Sequence, residues 1–385
     1  MELRMDTIGC AGSSPRRAVT GPGRANRCGV LAAAGPLAGG IAAGAVAAEP
    51  VEVPTFGTNP GNLRMFLHAP DEIDGPAPLV VVLHGCRQTA LGYGETSGWV
   101  EVADSHGFLL VLPGQRPANN DRNCFNWFQP GDARRDAGEA LSIRQMIDHV
   151  EATHEVDEAR VFVSGLSAGG AMTAVMLATY PEVFAGGGVV AGLPYRCADN
   201  VFEALQCMST GRPSTLPAFA LPQDALPEGL PATLEMSPAF CLFFPLLCPD
   251  DPGDADGAEA WGDLVRSASD HEGPFPVVSV WHGTADTTVV PVNATSLVEQ
   301  WTDVHGISSE PTAHDVFAGF PRQRFEGADG LARVELYTVT GMGHGKPVDP
   351  GGGPEQCGTS ADFVLDVDVC SSRLIAEFWG LASAE

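Results

Sequence analysis

Lysine is almost missing: 21 residues are basic, but Lys346 is the one lysine among them, and they face 48 acidic residues. The formal charge is −27. Neutralising the phosphates of a nucleic acid or an anionic lipid surface takes a basic face, so this balance excludes nucleic acid as a partner and argues against a polybasic membrane anchor. Long apolar runs are scarce too. Residues 29–48 (GVLAAAGPLAGGIAAGAVAA) come nearest, but Gly and Pro interrupt them. No later stretch approaches the roughly 18 uninterrupted apolar residues of a stable membrane span. There is no C-x-x-C pair and no paired histidine ligands, so no metal site is expected. Charged residues make up only 18% against 44% hydrophobic, so the acidity does not signal disorder and a large core can be buried. The 46 Gly and 31 Pro favour a loop-rich domain over a helical bundle.

The apolar stretch follows Arg24 and Arg27 and ends in Ala45-Val46-Ala47-Ala48, an A-x-A-like cleavage pattern. Residues 1–48 therefore read as a bacterial-type secretory signal, with one domain over 49–385. Arg16-Arg17 also fits a twin-arginine signal. Removing this leader takes away five arginines and two acids, which leaves 46 acidic and 16 basic residues and a charge of −30. Eight cysteines remain: Cys86, Cys124, Cys197, Cys207, Cys241, Cys248, Cys357 and Cys370. An even number in an exported chain predicts disulfides.

Short β-branched runs at 78–83, 108–112, 160–163, 187–191, 276–281 and 333–340 read as strands. Helical spacing over 136–153 and 168–180 places helices between them. Such alternation predicts an α/β fold with a mostly parallel sheet covered on both faces. Residues 209–260 break the rhythm: they are Pro-rich and carry little periodicity, which marks a lid candidate. The acidic run 249–260 lacks EF-hand spacing and reads as a solvated loop.

Gly165-Leu166-Ser167-Ala168-Gly169 matches G-x-S-x-G between a strand and a helix, the setting of a nucleophile elbow. The turn is so sharp that a Cβ at either glycine would crowd the backbone. A serine nucleophile needs a base and an orienting acid, which in this fold follow in the order Ser, Asp, His. Asp286 comes directly after the strand 276–281, and His344, between glycines, directly after the strand 333–340. His282 is a rival for Asp286, but its place before Gly283 suits loop bracing; Asp270 and Asp303 read as surface charges. The oxyanion hole would use the amide of Ala168 and that of Cys86, after the early strand.

The motifs LHGCRQ (83–88), NCFNWF (123–128), RDAGEALSI (135–143), GLSAGGAM (165–172), GLPY (192–195), WHGTADTTVVP (281–291) and GMGHG (341–345) occur in this order. Together they resemble the extracellular poly(3-hydroxybutyrate) depolymerase-like esterases, α/β-hydrolases related to feruloyl and acetylxylan esterases. The resemblance covers about 60–200 and 258–380. It implies Ser167, Asp286 and His344 as a triad, the Cys86 amide in the oxyanion hole, and Trp127 and Asn126 in a loop near the cleft. Trp127 either stacks on an ester chain or caps the core, and His84 is a third candidate for substrate contact. Asp136 and Glu139 read as helix-start charges.

Two departures stand out. Polymer-degrading members carry a linker and a binding module after the catalytic domain, whereas this sequence reaches Phe378-Trp379-Gly380-Leu381 where that domain is expected to end. The insertion at about 197–257 is long and holds four cysteines, with the apolar stretch 242–247 between Cys241 and Cys248. If a helix over 200–207 began at Cys197, it would separate Cys197 from Cys207 by about 15 Å, too far for a disulfide. The insertion cysteines are then expected to cross-pair, with Cys86–Cys124 and Cys357–Cys370 as the other bridges. The expected activity is hydrolysis of a short-chain polyhydroxyalkanoate polymer or its oligomers through an acyl-enzyme, without a cofactor. The alternatives are a feruloyl or acetylxylan esterase and, in another class, a non-catalytic binding module.

Overall fold

The computed structural model describes residues 49–73, 75–211 and 255–382. The leader 1–48, Cys241, Cys248 and most of the expected insertion and acidic run lie outside the described residues.

The strands are β1 (Val51–Val53), β2 (Arg64–His68), β3 (Ala77–Leu83), β4 (Leu109–Gly114), β5 (Val156–Leu166), β6 (Gly186–Val190), β7 (Val277–Gly283), β8 (Ala313–Phe317), β9 (Phe320–Glu326) and β10 (Ala332–Val339). They form one sheet in the order β1-β2-β4-β3-β5-β6-β7-β10-β9-β8. The central run from β4 to β10 is parallel, and antiparallel pairs finish both edges. β11 (Lys346–Val348) and β12 (Val364–Asp366) form a small parallel pair beyond it.

The helices are α1 (Ala90–Thr96), α2 (Trp99–His106), α3 (Gly138–Thr153), α4 (Ala168–Thr179), α5 (Val201–Thr210), α6 (Ala255–Arg266), α7 (Val292–Val304) and α8 (Ser371–Phe378). Period-two alternation along β3 sorts the core. Leu79, Val81 and Leu83 face one cluster with Ile143 and Met146 of α3, Met172 of α4 and Leu297 of α7. Val80 and Val82 face the other, with Tyr93 of α1, Val102 of α2 and Ile375 of α8. Every β3 residue is buried, as a central parallel strand covered on both faces requires. No described helix is long and apolar enough to cross a membrane.

Two expectations are corrected here. Residues 255–260, the end of the stretch read as aperiodic, open a helix that runs to Arg266. Cys197 precedes α5 rather than starting it, because Asn200 caps the helix by accepting the N–H of Glu203. The turn before the cap folds Cys197 back, so Cys197 and Cys207 are bridged at a Cα–Cα distance of 6.3 Å instead of cross-pairing. Cys86–Cys124 and Cys357–Cys370 are bridged as expected.

Candidate active site

The parallel strands all deliver their C-terminal ends to one edge of the sheet, where loops collect the polar groups. β5 stops at Leu166, and Ser167 takes φ 57° and ψ −118°, a conformation that non-glycine residues rarely adopt. This strain persists because the surroundings fix it. The Ser167 N–H donates to the Val190 carbonyl at 2.9 Å, and its own carbonyl accepts from Ala171 at 2.9 Å. A Cβ at Gly169 would lie 2.2 Å from the Leu83 carbonyl oxygen, and one at Gly165 2.3 Å from that of Gly169, so strand, elbow and helix can approach only through glycine.

The ends of β7 and β10 bring in the other two groups. Ser167 Oγ lies 2.8 Å from His344 Nε2, and His344 Nδ1 lies 2.7 Å from Asp286 Oδ2. An ionised carboxylate can only accept, so Nδ1 carries the proton and Nε2 is free to accept from the serine hydroxyl. Asp286 is buried, which by itself raises a carboxyl pKa. Donation from His282 and His344, with the Val289 N–H, outweighs that burial and holds the group well below the usual carboxylate range. His282 Nε2 lies 2.8 Å from the Val289 carbonyl and 3.4 Å from Asp286, so it braces the acid's loop.

The 83–86 segment packs directly on the elbow: a Cβ at Gly85 would meet the Leu166 carbonyl at 3.4 Å. Gln88 Oε1 accepts from the Gly85 N–H at 2.8 Å, shaping the turn. Among the described residues the Cys86 N–H has no acceptor. Ala168 opens α4, so its N–H lacks an intrahelical acceptor as well. Cys86 is tied to Cys124 at a Cα–Cα distance of 4.2 Å, which joins the loops after β3 and β4.

The three residues expected at the substrate are positioned differently. His84 is fully buried; its Nδ1 lies 2.8 Å from the Gly85 carbonyl and its Nε2 accepts from the Gln115 N–H at 3.1 Å. Burial pushes its pKa down to about 4, so it is a neutral brace between two loops. Asn126 is buried with its amide spent on Asn120 and Asp132. Trp127 belongs to the core and is 6% exposed, its ring edge-on to Phe128. Apolar burial claims the indole, and an internal network claims both polar residues.

Glu139 is more than a helix-start charge. It is buried and accepts from Gln115 Nε2 at 2.5 Å and the Asn126 N–H at 2.8 Å. Burial pushes its pKa up to about 8. Its place inside the core was not readable from the first turn of an amphipathic helix. The carboxylates of Asp349, Asp366 and Asp368 come within 4.8 Å of one another near β11 and β12. They are half-buried or exposed and belong to the acidic surface.

A family model described as "Esterase PHB depolymerase" matches residues 65–231. Poly(3-hydroxyalkanoate) depolymerase C of Paucimonas lemoignei is 46% identical over 331 residues, which cover 86% of this chain and 70% of that protein. An acetylxylan esterase of Coprinopsis cinerea is 32% identical over 319 residues, 82% of this chain and 73% of that protein. Among solved structures, an acetyl xylan esterase from Aspergillus awamori covers 87% of this chain and 100% of its own with a TM-score of 0.60. At 21% identity that likeness is one of fold.

Proposed function

Because the chain belongs to the PHB depolymerase esterase family, we propose that it hydrolyses short-chain polyhydroxyalkanoate polymer or its oligomers through an acyl-enzyme on Ser167. The observation that carries this reading is the continuous relay from Ser167 Oγ through His344 to Asp286, with contacts of 2.8 and 2.7 Å. Ser167 Oγ attacks the ester carbonyl as its proton passes to His344 Nε2. Asp286 holds the tautomer and stabilises the imidazolium that forms. The oxyanion is met by the amides of Cys86 and Ala168, each contributing about 3 kcal/mol to lowering the barrier. His344 then protonates the departing alcohol. Water attacks the acyl-enzyme by the same route and releases the carboxylic acid.

The strained elbow supports the chemistry: a serine held at φ 57° keeps its hydroxyl clear of the sheet. The disulfides among the described residues suit an oxidising compartment, which agrees with a secreted enzyme.

A second reading, an acetylxylan or feruloyl esterase, is favoured by the 32% identity to the Coprinopsis cinerea protein. Product analysis separates the two. Poly(3-hydroxybutyrate) film, its soluble oligomers, acetylated xylan and methyl ferulate are offered at equal ester concentration. Release of hydroxy acids faster than acetate or ferulate is the expected result. Faster release of acetate or ferulate overturns the polyester assignment, and turnover of none overturns the enzyme.

A further inference from the structure

In a chain with 48 acidic and 21 basic residues, a guanidinium should find a carboxylate easily. Among the described residues most do; Arg64, Arg144 and Arg322 each sit 2.7 Å from one. Arg87, Arg116, Arg122 and Arg134 pair with none, and all four stand on the two loops that follow β3 and β4. Arg160 also lacks a carboxylate, but it lies early in β5, at the far end from Ser167, and donates to the Gly380 carbonyl at 3.3 Å.

The unpaired cations are held close to the oxyanion loop. Arg87 follows Cys86 directly, and its N–H donates to the Arg122 carbonyl at 2.6 Å, beside the Cys86–Cys124 bridge. Two exposed cationic residues thus spring from hydrogen-bonded backbone positions beside the oxyanion loop. Arg116 lines a cleft of about 720 Å³ with Phe66, Thr89, Ala90, Leu91 and Pro117. The acid in that cleft, Glu52, is engaged by Arg64 through two contacts of 2.8 and 2.7 Å, and Arg116 attracts it only from beyond ion-pair distance. The Nε of Arg116 is buried without an acceptor. One buried donor without an acceptor, among three guanidiniums that have no carboxylate at ion-pair distance, marks a place shaped for a ligand.

We infer that Arg87, Arg116 and Arg122 form a carboxylate-recognition site beside the oxyanion loop, which favours ester chains that carry a free acid. The inference rests on the ester-hydrolase reading. Guanidinium groups match carboxylates in geometry and charge, and the apolar wall of the cleft suits the aliphatic units next to that acid. In a hydroxy-acid oligomer the free carboxylate lies on the leaving-alcohol side of the terminal ester. Cleavage there releases a monomer, and the new carboxylate on the shortened chain presents the same feature for the next cut. A uronate in an acidic oligosaccharide ester offers the same chemistry.

The test measures kcat/KM in low salt for a 3-hydroxybutyrate trimer and its methyl ester. A second pair is an acetylated xylo-oligosaccharide with and without a glucuronate, and p-nitrophenyl butyrate serves as the neutral probe. The enzymes are the wild type, Arg87→Gln/Arg116→Gln and, as control, Arg160→Gln. The free-acid trimer is expected to exceed its methyl ester by about fivefold, through KM. That ratio falls to about one in the double variant, shrinks in roughly 1 M NaCl and survives in Arg160→Gln. Discrimination confined to the glucuronate pair supports the site and assigns its source to a polysaccharide. Turnover of p-nitrophenyl butyrate without discrimination in either pair, or a ratio that survives in the double variant, overturns the inference alone. No turnover of any ester overturns the hydrolase reading and the inference with it.

Discussion

His344 Nδ1 lies 2.7 Å from Asp286 Oδ2, while Oδ1 of the same carboxylate receives the N–H groups of Thr288 and Val289 at 2.9 Å each. One oxygen fastens the acid to its own loop, and the other orients the imidazole of His344, with His282 Nε2 3.4 Å away. Asp286→Asn keeps the shape but offers an NH₂ group to the ring and favours the wrong tautomer. A fall in kcat of about 10⁴-fold is expected in steady-state ester hydrolysis. The pH dependence of stability changes as well. A carboxyl with a depressed folded pKa stabilises the protein above its unfolded value of about 3.9, and that contribution is lost as pH falls through the folded value. Acid unfolding of Asp286→Asn should therefore be less steep than that of the wild type, as read by circular dichroism between roughly pH 4 and 2.

Glu335 on β10 titrates in the opposite sense. It is buried and accepts from Ser279 Oγ at 2.6 Å, and Ser279 in turn accepts from Trp281 Nε1 at 2.9 Å. Burial pushes its pKa up to about 7. Between the unfolded value of about 4.3 and this folded value the native state holds a proton that the unfolded chain has lost, so stability declines as pH rises through that window. Glu335→Gln keeps an acceptor for Ser279 and removes the titration. Melting curves should show the variant losing less stability than the wild type from about pH 5 to 8; equal losses contradict the assignment.

Lys346, the chain's one lysine, is completely buried, and its Nζ has no hydrogen-bond partner. The Trp99 ring centre is 5.4 Å away, near the outer limit of cation–π attraction, which is too weak to offset the loss of solvation. Burial holds the amine well below the ordinary lysine pKa, so the folded protein binds this proton less tightly than the unfolded chain. The unfolded state then binds the extra proton, and stability rises with pH until about 10. Lys346→Met should raise the melting temperature at pH 7 and flatten the rise toward pH 10. A lower melting temperature with an unchanged slope would show that the amine is charged and compensated.

At the elbow the constraint is steric. A methyl group at Gly169 would meet the carbonyl oxygens of Leu83 and His84 at 2.2 and 2.6 Å, and neither backbone group can yield without moving β3. Gly169→Ala is expected to cost about 3 kcal/mol or more. Urea unfolding of the variant, with the denaturant slope unchanged, measures that loss.

The parts that were legible in the sequence share one property: local chemistry and tertiary role demand the same residues. The runs at 78–83 and 276–281 are buried on both faces of a parallel sheet, so their apolar character survives as a signal. The elbow needs glycine at 165 and 169, and Asp286 and His344 sit where strands end. Elements set by distant contacts were harder to read. The β8–β9 hairpin turns at Ala318 and Gly319, both with positive φ, and alanine is an unusual residue for that role. β1, at the sheet's edge, and its neighbour β2 are short strands with little pattern of their own. His84 and Asn126 carry polar groups expected in a cleft, and Glu139 one expected at an exposed helix start. Whether such groups meet substrate or one another depends on how the loops after β3 and β4 fold together. For Cys197, a single capping residue, Asn200, shifts the helix start by one turn and turns an excluded bridge into a formed one.

Hydrolysis of p-nitrophenyl butyrate by Ser167→Ala, compared with the wild type at equal folded concentration, tests the central claim most directly. Removing the nucleophile of a working triad should lower kcat by roughly four orders of magnitude or more and abolish the burst that reports acyl-enzyme formation. A Ser167→Ala protein that hydrolyses this ester at near-wild-type rate contradicts the mechanism.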